Sequence, residues 1–377
     1  MTTHIDIHVL HSVPPSCLNR DDTGSPKTGD YGDTKRARLS SQSLKAAVRR
    51  YVRDNLKMDG LGMRTLRLPE MVAEQVRANH PDRADEAQAL ANLVLGPSGL
   101  GLIKDKPKTA KKGADGDEPV NADATTGALT FLTVRHAAQL AQVAVEAVDG
   151  KVDKKALNAA MSSAGGAIDI ALFGRMVAMD KNLNVDAACQ VAHAIGVGGA
   201  TPEFDFFTAV DDLAGPNESG AGMMGTIEFT SATFYKYATV NLESLAANLD
   251  GDVDAAARGT STFLDAFVRT LPSGRQNSFA AHTLPSLVMV SVRLDQPVNL
   301  VDAFESPIRP GDGGTMPAAA QALVDRAREL DGMFGQQPAR TWVMAGSALA
   351  TIVAPFGAPS SLPTIVAELE SDLRERR

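Results

Sequence analysis

Cysteine is nearly absent. Cys17 and Cys189 are the two in 377 residues, with no metal-ligand spacing and no disulfide framework. That fits a reducing compartment. A long unbroken apolar run is missing too. The longest, Trp342 to Ala358, is interrupted by Ser347, Thr351 and Pro355, which favours buried core over a membrane span. The first residues, Met1-Thr-Thr-His-Ile-Asp-Ile-His8, lack the basic start and apolar core of a secretory leader. These absences predict a soluble, cytoplasmic protein. Also missing are a G-x-x-x-x-G-K-[ST] phosphate loop, a G-x-S-x-G elbow, an H-E-x-x-H helix and any internal repeat.

What is present suffices for a large core. The chain is 44% apolar, and at this length about three quarters of the unfolded surface is buried on folding, so no disulfide or metal staple is required. The length fits two to three domains, or one with large insertions. Net charge is -8, an average that hides a cluster. Between Lys35 and Lys57 stand Lys35, Arg36, Arg38, Lys45, Arg49, Arg50, Arg53 and Lys57 against Asp54 alone. One basic patch on an otherwise acidic body is a charge asymmetry whose purpose calls for a test.

Residues 4–11 alternate, with Ile5, Ile7 and Val9 on one face of a strand. Residues 12–39, rich in Pro, Gly and Asp, read as a long polar loop. Ser40 to Ser43 then offer N-cap candidates, and Leu44, Ala47, Val48, Tyr51 and Val52 follow the spacing of a buried helical stripe. Lys45, Arg49 and Arg53 lie on another face of that helix. Residues 59–165 read as helical, interrupted by a Lys-rich loop at 104–112. Residues 166–177 read as a strand, and 180–225 as irregular. Residues 226–242 read as β, 252–271 as a helix ending before Pro272, and 286–294 as a strand. The last eighty residues look helical.

With the two long insertions removed, the order is strand, helix, strand, strand, helix, strand. That predicts an α+β fold with a ferredoxin-like sheet, one insertion after the first helix and one between strands two and three.

Each motif has a plain alternative. The capped N-terminus and basic stripe of the 40–53 helix suit phosphate, since free N–H groups and the helix dipole favour anions; a solvated basic face explains the stripe equally. Arg20, Lys27 and the 35–38 run add to the patch. Gly220, Gly222 and Gly225 match G-x-G-x-x-G but lack the strand before and helix after that a dinucleotide needs, so a loop tip is the better reading. Asp21, Asp22, Asp30 and Asp33 would suit Mg²⁺ beside RNA, yet turn chemistry explains them better. His4, His8 and His11 are too few for zinc and read as strand histidines. Phe204, Phe206 and Phe207 would stack on bases, or form a small core under a loop, the better expectation.

Several ordered stretches resemble one family. Cys17-Leu-Asn-Arg20-Asp-Asp22, Arg38-Leu-Ser40-Ser-Gln42-Ser-Leu-Lys45, Asp169-Ile-Ala-Leu-Phe-Gly-Arg-Met176, Ala192-His-Ala-Ile195, Phe207-Thr-Ala-Val-Asp-Asp-Leu213 and Ser231 through Tyr237 to Leu242 are similar to the CasC backbone subunit of the type I-E CRISPR Cascade complex. The likeness spans residues 1–58 and 166–305. It implies a hand-like fold. A modified RNA-recognition-motif palm would take 1–58, 166–180 and 225–377, helical fingers 59–165 and a thumb 181–224.

The resemblance further implies a non-catalytic protein that polymerises along a guide RNA (crRNA) and leaves bases free to pair with target DNA. Its partners would be the guide, target DNA through the heteroduplex, further copies of itself, and the large, small, guide 5′-end-capping and guide-processing Cascade subunits. No cofactor or metal is implied. Carried over by resemblance, Arg20, Lys27, Ser40, Gln42, Lys45 and Arg49 would hold guide phosphate and sugar. Met176 would support a displaced base, and Phe207 and Thr208 would sit at the kink. Arg275 and Gln276 would form a second RNA-facing loop. Two other readings stand beside this one: a metal-dependent endoribonuclease of the same hand-like superfamily using first-loop Asp residues, and a purely structural oligomer.

Overall fold

A computed structural model of the chain describes residues 2–55, 61–103, 125–127, 129–161, 166–177, 184–209, 223–310 and 313–376. The Lys-rich stretch at 104–112, Lys57, and Gly220 and Gly222 of the glycine motif lie outside the described residues.

The chain opens with strand β1 (His4–Ser16), hairpin strands β2 (Thr28–Tyr31) and β3 (Thr34–Leu39), and helix α1 (Ser41–Asn55). Next come β4 (Met63–Thr65), α2 (Leu68–Asn79), α3 (Ala87–Leu95), β5 (Thr130–Leu132), α4 (Val134–Val145), α5 (Lys154–Met161) and α6 (Ile168–Phe173). Short strands β6 (Cys189–Val191) and β7 (Ala194–Gly196) precede β8 (Glu203–Ala209) and the long β9 (Met223–Asn241). The rest is α7 (Leu242–Asn248), α8 (Val253–Arg269), α9 (Gln276–Phe279), β10 (Leu287–Arg293), α10 (Thr315–Phe334), β11 (Arg340–Ala345), α11 (Ala350–Val353) and α12 (Leu362–Glu375).

The chain divides into two units, one of residues 1–56, 189–242 and 257–377, the other of 57–188 and 243–256. The first holds an antiparallel sheet in the order β11-β10-β1-β9-β7-β3-β2, with β6 and β8 also paired to β9. At its centre Ile5 stands opposite Val240 of β9 on one side and Val292 of β10 on the other. This is the antiparallel arrangement a β-α-β-β-α-β chain order builds, with β1, β6–β7, β9 and β10 as its strands. β1 is buried on both faces: Ile5, Ile7 and Val9 on one, Asp6, His8 and Leu10 on the other. So helices lie on both sides. The Leu10 face packs, with Tyr235, Tyr237, Leu287 and Met289, against Ala319, Ala320, Leu323 and Val324 of α10. The opposite face packs Val13, Leu39 and Phe234 against Leu44 of α1. Each fully buried Leu or Phe contributes about 2 kcal/mol of transfer free energy.

The second unit is a helical cluster. Val72, Val76, Ala91, Val94, Leu95, Leu140 and Ala141 form its core across α2, α3 and α4. Thr133 caps α4 by accepting from the His136 N–H, and His136 reciprocates toward the Thr133 N–H.

Three expectations need correction. Residues 12–39 are no continuous loop: β1 runs on to Ser16, and β2–β3 form a hairpin. Its two-residue turn, Gly32-Asp33, has φ of 57° and 54°, the mirror-image turn whose twist matches paired strands. Residues 168–173 are helix, not strand. Asp169, Ile170, Ala171 and Leu172 are all buried, and a short segment buried all round shows no period that separates helix from strand. The second strand of the expected order is instead β6–β7, so 180–225 is more regular than its composition suggests. The apolar run from Trp342 to Ala358 is core only in part: Trp342, Val343, Leu349 and Val353 are buried, Ala348, Ala354 and Pro355 are exposed, and the run begins as β11 on the edge of the sheet.

Candidate nucleic-acid interface

The N-terminus of α1 is built by three short polar residues. Ser40 caps it, its hydroxyl accepting from the Ser43 N–H at 3.3 Å. Asn19 ties this cap to the preceding loop. Its Oδ1 accepts from the Ser40 N–H at 2.8 Å and from the Ser43 hydroxyl at 3.2 Å, while its carbonyl accepts from the Lys27 N–H at 2.8 Å. Asn19 was not singled out from sequence, although Asn is the residue whose side chain suits such turns. Ser40 is only 5% exposed and its hydroxyl is engaged in the cap. Gln42 is exposed, and the N–H groups of Ser41 and Gln42 lie in the first turn, where a helix supplies no acceptor.

Basic groups gather round this end. Arg20 is exposed and its backbone bridges to Pro26, which closes the 20–26 turn beside Lys27. Arg38 donates from Nε to the Thr28 carbonyl at 2.9 Å and from a terminal nitrogen to His193 Nδ1 at 2.9 Å. Burial, then the charges of Arg38 and Lys27, hold His193 below the usual imidazole range, so one neighbourhood contains both cations. The Cys17 thiol is pushed up by burial, drawn back by the nearby charges of Arg275 and Arg20, and raised again by the carboxylates of Glu228 and Asp21. Lys45 and Arg49 are half-buried on α1. Arg36 leaves the patch predicted from sequence. It is fully buried, and its guanidinium donates to the carbonyls of Tyr31, Gly196, Val197, Phe304 and Glu305.

Arg275 and Gln276 approach from the loop after α8. Gly274 N–H donates to the Leu18 carbonyl at 3.1 Å, and a Cβ there would sit 2.4 Å from that oxygen, so only glycine lets the loop lie so close. Arg50 of α1 donates to the Ser273 hydroxyl at 2.6 Å. Arg275 adopts a left-handed φ of 48°, and its Nε, like Oε1 of Gln276, is buried without a hydrogen-bond partner. A cleft of about 310 Å³ lies alongside, lined by Arg50, Tyr51, Arg269, Ser273, Gln276 and His282.

The β8–β9 hairpin carries the aromatic residues. Phe204, Phe206 and Thr208 share one face with Glu228, Thr226 and Met224 opposite them; Phe207 is on the other, opposite Gly225. The expected small Phe core is not there, since Phe204 is 66% and Phe206 64% exposed. Phe207 instead lies over Gly225, where a Cβ would meet its ring at 2.5 Å. Gly225 is thus a strand residue making room for a ring. At the hairpin base Phe229 packs on Phe279 of α9, ring centres 5.7 Å apart.

The remaining predicted residues fall elsewhere. Met176 is in the second unit, 85% exposed, beside a buried Arg175 that burial pulls down to about 10. Asp21 accepts from Thr23 and Ser25 in a tight turn, and those bonds hold its carboxyl below the usual range. Asp33 occupies the β2–β3 turn. His8 pairs with the Tyr235 hydroxyl at 2.8 Å and His11 with Thr283. Among the described residues no group of His, Cys, Asp and Glu is arranged to hold a metal ion, and no helix is long and apolar enough to cross a membrane.

Comparison with known proteins adds the following. The pattern of the CT1975-like protein family matches residues 5–366. A solved chain titled "CRISPR RNA-guided surveillance complex, pre-nicking" is 35% identical, with a TM-score of 0.81 over 98% of this chain and 100% of its own. Another, titled "CRISPR RNA-guided surveillance complex", is 29% identical, with a TM-score of 0.62 over 98% of this chain and 99% of its own. No curated protein matches.

Proposed function

Because the chain belongs to the CT1975-like protein family, we propose that it works as a subunit of a CRISPR RNA-guided surveillance complex, and specifically as the guide-holding backbone subunit of a type I-E Cascade. In this role it binds crRNA without catalysis, and copies of it line up along one guide. Large, small, end-capping and processing subunits join them, and guide bases stay free to pair with target DNA in the cytoplasm.

One observation carries the reading. Arg20, Lys27, Arg38 and Arg275 converge with the first turn of α1 in one unit, around Cys17, Asn19 and His193. Cations and free N–H groups hold phosphates; they read no base. The cation set and the exposed Gln42 suit a single strand gripped by its backbone.

The test is binding of the purified protein to labelled single-stranded RNAs of increasing length in Mg²⁺. Stepwise addition of protomers, indifferent to sequence and leaving the RNA intact, is the expected result. Regular cutting that Asp21→Ala or Asp33→Ala abolishes would replace this reading with an endoribonuclease. Absence of binding at low salt would leave a purely structural oligomer.

A further inference from the structure

The segment 270–283 must leave one helix and reach a strand while presenting Arg275 and Gln276. Pro272 has no N–H to offer the last carbonyls of α8. The donor comes from the sheet. Lys236, fully buried on β9, donates from Nζ to the Phe267 carbonyl at 2.7 Å and the Thr270 carbonyl at 3.1 Å, with the Phe267 ring centre 4.8 Å away. No carboxylate lies within ion-pair distance of it among the described residues. The other end of the segment is held by a neighbour on the same sheet face. Val9 stands opposite Lys236, and two residues further along β1 comes His11, also fully buried. Its Nε2 donates to the Thr283 carbonyl at 2.9 Å and lies 3.1 Å from the Thr283 hydroxyl, which donates to the Ser12 carbonyl at 2.9 Å.

We propose that Lys236 and His11 form a two-point clamp on residues 270–283, and that Lys236 is thereby a positioning residue for the Arg275–Gln276 contact with single-stranded RNA. This rests on the RNA-binding reading above. A buried lysine without a carboxylate costs the fold more than an apolar residue would. What it adds is a fixed end for the segment. Arg275 sits at φ 48°, a conformation a side-chain-bearing residue holds only when its surroundings over-determine it. Clamps at Thr270 and Thr283, with Ser273 and Gly274 anchored between them, supply that. Burial pulls the Lys236 ammonium down to about 7, yet a neutral amine keeps two N–H donors for the two carbonyls. The clamp therefore holds in either protonation state.

The experiment is a double-mutant cycle on the full chain with Lys236→Met, Arg275→Ala and both, read as affinity for a mixed-sequence single-stranded RNA. Amide hydrogen exchange of 271–283 is followed in parallel. Lys236→Met should weaken binding about tenfold and speed exchange in the segment, but add less than about twofold in the Arg275→Ala background, because it acts through that residue. Wild-type affinity in Lys236→Met, or losses that multiply in the double variant, would overturn the clamp while leaving RNA binding in place. No RNA binding by the wild type would instead fell the RNA reading and the positioning role with it. Should Lys236→Met not fold, His11→Leu, which removes the donor to the Thr283 carbonyl at the other anchor, carries the same cycle.

Discussion

Two buried cations show what composition conceals at the scale of single residues. Arg36 and Lys236 count toward charge, yet neither faces solvent. Arg36 draws together carbonyls from three stretches of chain, which a point-like ammonium cannot do. Arg36→Lys should therefore lower stability by about 3 kcal/mol, the scale for stranding buried polar groups, read as a shift in urea midpoint. An unchanged midpoint would mean that the five bonds matter little. For Lys236 the folded-state value is depressed, from 10.5 to about 7. Below 7 both folded and unfolded chains hold the proton; between 7 and 10.5 only the unfolded chain does. Stability relative to Lys236→Met should therefore rise with pH above 7, by at most about 1.4 kcal/mol per unit. Urea titrations of both proteins at pH 7, 8 and 9 (about neutral to mildly basic) check the sign, and a falling difference would contradict it.

Among the elements, α1 carries basic side chains and the β8–β9 hairpin carries exposed rings. If Lys45 on α1 meets a guide phosphate, Lys45→Ala should weaken binding to every sequence and reduce the salt slope by about 0.7, the single-strand value for one contact. An unaltered slope would place that lysine away from phosphate. α1 was legible because its stripe repeats at helical spacing and its cap residues are the usual ones. The strands β1, β9 and β10 showed for a similar reason, their alternation or β-rich composition being plain. α6 was not, because its whole circumference is buried. β2–β3 was missed although Gly32-Asp33 is a turn signal, because β2 is polar throughout and the apolar face of β3 is only Ala37 and Leu39, set among three basic residues. The Phe cluster misled in another way. Apolar residues in a sequence suggest burial, and only the hairpin geometry reveals that Phe204 and Phe206 face outward. Asn19 works through hydrogen bonds to distant backbone, which spacing cannot display.

At the scale of the whole molecule, a guide-holding subunit has two separable tasks: gripping a strand and registering against the next copy. In the proposed role, the cations round Asn19 would serve the first. Phe204 and Phe206 are not part of the core. They are exposed, and the hairpin that bears them is acidic, with Glu203, Asp205 and Glu228 in its described part. Such a surface does not attract phosphate by charge; its use is contact with something apolar or stacked. Replacing both rings, Phe204→Asp with Phe206→Asp, should leave the melting temperature within about 2 °C, since exposed positions contribute little to stability. Binding of one protomer to a short RNA should also persist, because the cations are untouched. Ordered arrays on a long RNA should fail, seen as loss of discrete protomer steps in mass photometry. Arrays that form normally would remove the hairpin from assembly and leave the basic patch as the sole determinant of how copies arrange along the strand.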